Sequence, residues 1–103
     1  FAGWTLDMRA RELRSPQAVL VPLAQSDYRV LCALASNPHR TLSRDYLADH
    51  VFGRERQAQD RAIDVCVSRL RQHLEDPARQ ASLIRTVRNA GYVLTCDVVP
   101  QAS

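Results

Sequence analysis

The spacing of hydrophobic positions along the chain changes several times, and each change predicts an element. Trp4, Leu6 and Met8 alternate with Thr5 and Asp7, the period-two pattern of a half-buried strand. RELR at 11–14 and AVLVPL at 18–23 are two further short strand candidates, separated by the turn-forming Ser15-Pro16. Residues 1–23 therefore predict a small antiparallel meander that serves as a platform. From residue 24 the period becomes helical. Over 24–36, Tyr28, Leu31, Cys32 and Ala35 form one apolar face, widened by Val30 and Leu34, and Asn37-Pro38 stops the helix. A second, shorter helix spans 43–51. Ser43 is its N-cap, Asp45 sits in its first turn, Tyr46, Leu47 and Val51 form its inner face, and Gly53 ends it. A polar loop at 52–59 leads to a third helix at 60–75, which opens at the N-cap Asp60 and closes at Glu75-Asp76-Pro77. Two strands at 83–87 and 92–96 flank the turn Arg88-Asn89-Ala90-Gly91, whose Asn and Gly tolerate positive φ. Together they predict a terminal hairpin over 83–96. The pattern is that of one α+β domain over 1–98 with a frayed tail at 99–103.

The third helix divides into two faces of different chemistry. Ile63, Val67, Leu70 and Leu74 follow the i, i+4, i+7, i+11 spacing of a core-facing stripe. Arg61, Val65, Ser68, Arg69 and Gln72 fall on the opposite side. Two arginines, a hydroxyl, an amide and one aliphatic group are the kinds of side chain that reach base edges and phosphates in a DNA groove. Taken on this helix alone, Arg61 and Arg69 read first as a solvated face, paired with Asp64 or Glu75. The hairpin adds Arg85 and Arg88 on a projecting finger.

Composition narrows the classes. A chain of 103 residues holds one small core. Its net charge of +3 permits an acidic partner without naming one. All fourteen cationic side chains are arginine, whose planar fork suits phosphate and guanine better than an ammonium does. Cys32, Cys66 and Cys96 are scattered and form no C-x-x-C pair, which reads as reduced, intracellular thiols, with Cys32 a small core residue. No metal site is expected, since Cys66, Cys96, His73 and His50 are not clustered locally, and His50 reads as structural. No apolar run approaches the roughly 20 residues of a membrane span. A phosphate-binding glycine loop, a nucleophile–base pairing and a metal motif are all missing from the sequence, so neither an enzyme nor a cofactor is expected.

The order strands, three helices, hairpin is the winged helix-turn-helix arrangement. The segments LAQSDYRVLCAL, LSRDYLADHVFG, DRAIDVCVSRLRQHLED and IRTVRNAGYVL resemble the DNA-binding effector domains of OmpR/PhoB-type response regulators. The specific signal is R-x-x-D-x-x-x-x-R-L-R combined with T-V-R-x-x-G-Y at this separation. The N-terminal strands match in pattern only.

The resemblance implies a role for each matched residue. The third helix would enter the major groove of double-stranded DNA with Arg61, Val65, Ser68 and Arg69 facing bases or adjacent phosphates, and Arg71 nearer the backbone. Arg88 of the wing would reach the minor groove, while Thr86 and Tyr92 would touch phosphate; the Tyr92 ring could also pack beneath the hairpin. Phe52, Arg54 and Arg56 fall in the segment that in this family contacts phosphate or RNA polymerase. Asp64 would steady an arginine or a helix end, and Arg85 reads as surface. Three departures stand out: Asn89 replaces a wing glycine, Ala24 replaces a capping Thr at a cost of about 1 kcal/mol, and Cys66 stands where His or Gln is common. The chain lacks the acidic phosphoacceptor pocket of a receiver domain. The resemblance thus implies a cytoplasmic output domain that follows a receiver served by a sensor histidine kinase and dimerises in tandem on DNA repeats. The alternatives are a winged helix used for protein contact, which would need an apolar patch on the third helix, and the DNA-binding domain of a one-component regulator.

Overall fold

A computed structural model describes residues 3–53, 60–74 and 83–98, with the backbone alone at 60–62. The arginines expected at 54 and 56, the loop around them, the end of the third helix after Leu74 and the tail lie outside the described residues.

Three short strands, β1 (Thr5–Asp7), β2 (Glu12–Arg14) and β3 (Leu20–Val21), pair antiparallel in the order β1-β2-β3. The register sets Leu6 opposite Leu13 and Leu13 opposite Val21. Leu13 is fully buried and Trp4 nearly so, which ties the platform to the core. The Ser15 hydroxyl makes the turn before β3, accepting from the backbone N–H of Gln17 and Val19 at 3.2 and 3.1 Å. Met8 departs from the expected alternation. It follows the end of β1 and is half exposed.

Helix α1 (Gln25–Ser36) starts at Ala24, whose side chain offers no cap. Its buried face is Val30, Leu31, Ala33, Leu34 and Ala35, with Asp27 among them; Tyr28 and Cys32 lie at its margin. Helix α2 (Arg44–Phe52) is capped as expected, the Ser43 Oγ accepting from the Tyr46 N–H at 3.0 Å. Its inner face is Leu47, Ala48 and Val51. Tyr46 is a correction: it is exposed and stacks on the His50 ring at a centroid distance of 5.9 Å. One residue of helix turns a side chain by about 100°. The small Ala48, not the large Tyr46, is therefore on the packed side.

Helix α3 (Asp60–His73) crosses both, and strands β4 (Ile84–Val87) and β5 (Gly91–Leu94) close the domain as a hairpin. The turn occupies residues 88–90, closed by the Ala90 N–H to the Val87 carbonyl at 3.0 Å. Asn89 holds the left-handed conformation there, with φ of 64°, which Asn tolerates better than most residues. Gly91 is the first residue of β5, one place beyond the turn expected for it. Here β5 runs against Leu42, with Leu42 N–H to Tyr92 O at 2.8 Å and Tyr92 N–H to Leu42 O at 3.0 Å. A Cβ on Gly91 would stand 1.9 Å from the Leu42 carbonyl oxygen, and φ is 142°. Only glycine lets the hairpin lie this close. One core joins Leu31, Leu34, Leu47, Ile63, Leu70, Ile84 and Leu94, and the architecture is a winged helix-turn-helix.

Candidate nucleic-acid interface

The two faces of α3 separate as the hydrophobic period requires. Ile63, Val67 and Leu70 are fully buried and Leu74 is nearly so. On the opposite side Val65 is 50% exposed, and Ser68 and Gln72 are exposed beside it. Cys66, which stands where His or Gln is common in the family it resembles, is not on that exposed side. It is buried beneath the helix, and that burial pushes its thiol pKa up. Cys66 thus belongs to the packed seam beside Asp27 and Arg69 and not to the exposed face.

Arg69 has a partner that spacing did not reveal. Its Nε and Nη2 donate to the two carboxylate oxygens of Asp27 on α1, each at 2.9 Å. Asp27 is 1% exposed, whereas the Arg69 side chain is 47% exposed. Hydrogen bonding to Asp27 raises the arginine's pKa further. The long side chain leaves the outer stripe and folds back onto the acid, a reach that arginine's aliphatic stem allows. Asp27, and not Asp64, is the acid that Arg69 meets among the described residues, and the pair clamps α3 to α1; Glu75 lies outside the described residues.

A second polar group joins α3 to the wing and to α2. Asp64 Oδ1 accepts from Arg44 Nε at 2.8 Å and from the Tyr92 hydroxyl. Burial works to raise the Asp64 pKa, but the hydrogen bonds from Tyr92 and Arg44 outweigh it and hold the carboxyl below its ordinary range. Burial, followed by the hydrogen bond to Asp64, pushes the Tyr92 hydroxyl pKa up. The Tyr92 ring is 4% exposed and has the Arg44 guanidinium 5.1 Å and the Arg71 guanidinium 5.8 Å from its centroid. Arg71 reaches across to β4, donating from Nε and Nη2 to the Ile84 carbonyl at 3.1 and 2.8 Å and from Nη2 to Thr86 Oγ1 at 2.8 Å.

Of the residues singled out in sequence, Val65, Ser68, Thr86 and Arg88 are exposed along one side of α3 and the wing. Arg69, Arg71 and Tyr92 are instead committed to contacts within the fold. Arg61 lies in α3, but its side chain is outside the described residues. Phe52 packs partly against the core. Asp27 and Arg44 were missed. Their traces in sequence are a lone acid inside the apolar turn S-D-Y-R-V-L and an arginine directly after the N-cap Ser43. Among the described residues no three His, Cys, Asp or Glu side chains converge on a point, and no helix is long and apolar enough to cross a membrane. The arrangement offers a polar outer helix face next to an arginine-bearing hairpin, both held by hydrogen bonds from behind.

Comparison with known proteins agrees with this geometry. The sequence pattern of the family described as "Transcriptional regulatory protein, C terminal" matches residues 17–94. The chain is 40% identical over 98 residues to the regulatory protein VirG of Agrobacterium fabrum, covering 95% of this chain and 39% of that protein. It is 34% identical over 98 residues to the aerobic respiration control protein ArcA of Escherichia coli, covering 95% of this chain and 41% of that one. The chain thus spans about two-fifths of these curated relatives. Among solved structures, the Klebsiella pneumoniae RstA DNA-binding domain in complex with the RstA box superposes with a TM-score of 0.83 at 34% identity, covering 92% of this chain and 93% of that one.

Proposed function

The chain belongs to the OmpR/PhoB-type family of transcriptional regulatory C-terminal domains, and from that premise we propose that it binds double-stranded DNA sequence-specifically to regulate transcription. The observation that carries this reading is the exposed Val65–Ser68 face of α3 beside the exposed Arg88 at the wing tip, both braced from within the fold. In this reading α3 lies in the major groove, where the Val65 methyls meet a thymine methyl and the Ser68 hydroxyl meets a base edge or phosphate. Arg61 reaches bases or phosphates from the start of the same helix. Arg88 enters the adjoining minor groove, whose potential is most negative where A·T pairs narrow it. Arg69 and Arg71 act mainly by holding the helix against α1 and the wing, so that their outward parts approach phosphate in a fixed orientation. Tyr92 supports the wing from beneath.

The same reading makes the chain the output domain of a cytoplasmic two-component response regulator. A receiver domain would precede it, a sensor histidine kinase would supply that receiver's phosphoryl group, and the segment around Phe52, Arg54 and Arg56 would face RNA polymerase. Two copies would occupy direct repeats about 10–11 bp apart, one turn of the duplex. Titration of the chain with mixed-sequence duplex at about 50 mM salt, followed by fluorescence anisotropy, tests the reading. Association that weakens steeply as salt rises supports it, because phosphate contacts release counterions. No association at low salt would overturn it in favour of a protein-contact module.

A further inference from the structure

We propose that the outer face of the wing is a second docking groove for the DNA backbone, lying beyond the contacts made by α3 and the wing tip; this rests on the DNA-binding reading above. Alternation along a strand sends Ile84 and Thr86 toward α3 and their neighbours Arg85 and Val87 to the other side. The Arg71 bond to Thr86 fixes which side is inner. Opposite Arg85 in the register stands Val93. The loop before α2 then runs beside β5, held by the His39 N–H to the Leu94 carbonyl at 2.8 Å and by the Leu42–Tyr92 bridge. Between loop and hairpin is an open groove of about 430 Å³ with Arg85, Arg88, His39 and Thr41 around it and Val87 and Val93 as its apolar lining.

Charge and continuity identify the occupant. Arg85 and Arg88 are exposed and make no ion pair among the described residues. Among the described residues no carboxylate lines the groove. The acid beside it is Asp97, 2.6 Å from His39 Nε2 and turned to solvent. An enclosed small-molecule site of similar volume would be lined mainly by apolar and aromatic groups that cover its ligand. This groove has two valines, two arginines and hydroxyls, and it is open along its length. That chemistry suits a strand of phosphodiesters passing along the surface. Arg88 belongs both to the groove and to the wing tip, so a strand leaving the minor groove at Arg88 meets Arg85 next. Arg85 thereby changes from a surface residue to a footprint-extending contact.

The test uses the 103-residue chain and a roughly 30-bp duplex recovered by selection from a random library, trimmed stepwise from each end. On the full duplex, Arg85→Ala should weaken binding roughly three- to five-fold at about 0.1 M salt and reduce the log–log salt slope by about 0.9. On the duplex trimmed at one of its two ends the wild type should itself bind less well, and Arg85→Ala should cost nothing more. Arg9→Ala, which removes the same charge from the N-terminal sheet, should show no dependence on duplex length. Equal losses on every duplex would mean that Arg85 acts only through overall charge, and an unchanged affinity would mean that it does not act; either result overturns the groove. If inorganic phosphate shifts the His39 and Arg85 NMR signals while Arg85→Ala leaves DNA affinity intact, the groove takes a small anion and the backbone proposal is overturned. Failure of the wild type to bind any duplex would instead sink the DNA-binding reading on which the proposal rests.

Discussion

The two polar joints that hold α3 differ in depth, and the difference separates stability from geometry. At the α1 seam a single fully buried carboxylate, Asp27, meets a single half-exposed arginine, Arg69. At the wing seam Asp64, Arg44, Tyr92, Arg71 and Thr86 form a branched network whose acid is itself half-exposed, with side-chain exposures of 41% for Arg44 and 46% for Asp64. A buried carboxylate cannot exchange its partner for water without a large desolvation cost. Water can replace individual contacts in an exposed network at little cost. The α1 seam should therefore govern whether the domain folds, and the wing seam how the hairpin is set relative to α3.

Substitutions can break or sharpen that contrast, and the largest effect should come from the wing's backbone contact. Gly91→Ala forces a Cβ into the Leu42 carbonyl at a φ that L-residues avoid. It should cost at least about 3 kcal/mol, read as a lower urea midpoint and a hairpin with lost amide protection. A stable, fully protected Gly91→Ala variant would mean that the β5–Leu42 approach is not a constraint. Next comes Asp27→Ala, expected to lose about 2–3 kcal/mol, below the full range for a broken buried pair because Arg69 can turn to water. Its urea midpoint should fall without a change in m-value; a midpoint unchanged from wild type would place the seam with the exposed ion pairs.

Asp64→Asn should cost only about 0.5–1 kcal/mol, since both charged partners are nearly half exposed to solvent. Its signature is in pH. The folded-state pKa of Asp64 lies below its ordinary 3.8, so the native state favours the ionised form. That contribution is fully present above about pH 5 and is lost as pH falls through 3.8 toward the lowered value. The stability gap between wild type and Asp64→Asn should close in acid, and a gap that widened there would reverse the sign assigned to this carboxylate. DNA affinity should fall more than stability does, because the wing loses its setting. The smallest effect on folding belongs to Val65→Ala, within about 0.5 kcal/mol for a half-exposed side chain. It should nonetheless weaken discrimination at one thymine, as selection from a random duplex library would reveal.

How much could be read in advance follows the range of each interaction. Helix positions, the Ser43 cap, the Asn89 turn and the buried stripe of α3 are written in local spacing, and they were legible. Which acid meets Arg69 depends on a contact across 42 residues, and periodicity places only the Cα of an arginine, not the end of its side chain. Tyr46 reads as inner with Leu47 and Val51, yet Ala48, two residues on, fills the packed position. The resemblance marks Cys66 as a departure from a polar residue, and only the approach of α1 shows that the position is buried. The wing arginines were visible as charges. That Arg85 and His39 share a groove required the loop before α2 to be seen running beside β5.

The surface expected to meet DNA is the exposed side of α3 and the wing. Titrating isotope-labelled chain with a library-selected duplex and mapping amide chemical shifts tests it directly. The largest changes should fall at Val65, Ser68 and Arg88, with residues of β1–β3 nearly unmoved. Changes concentrated on β1–β3, with Val65, Ser68 and Arg88 unperturbed under saturating duplex, would contradict it.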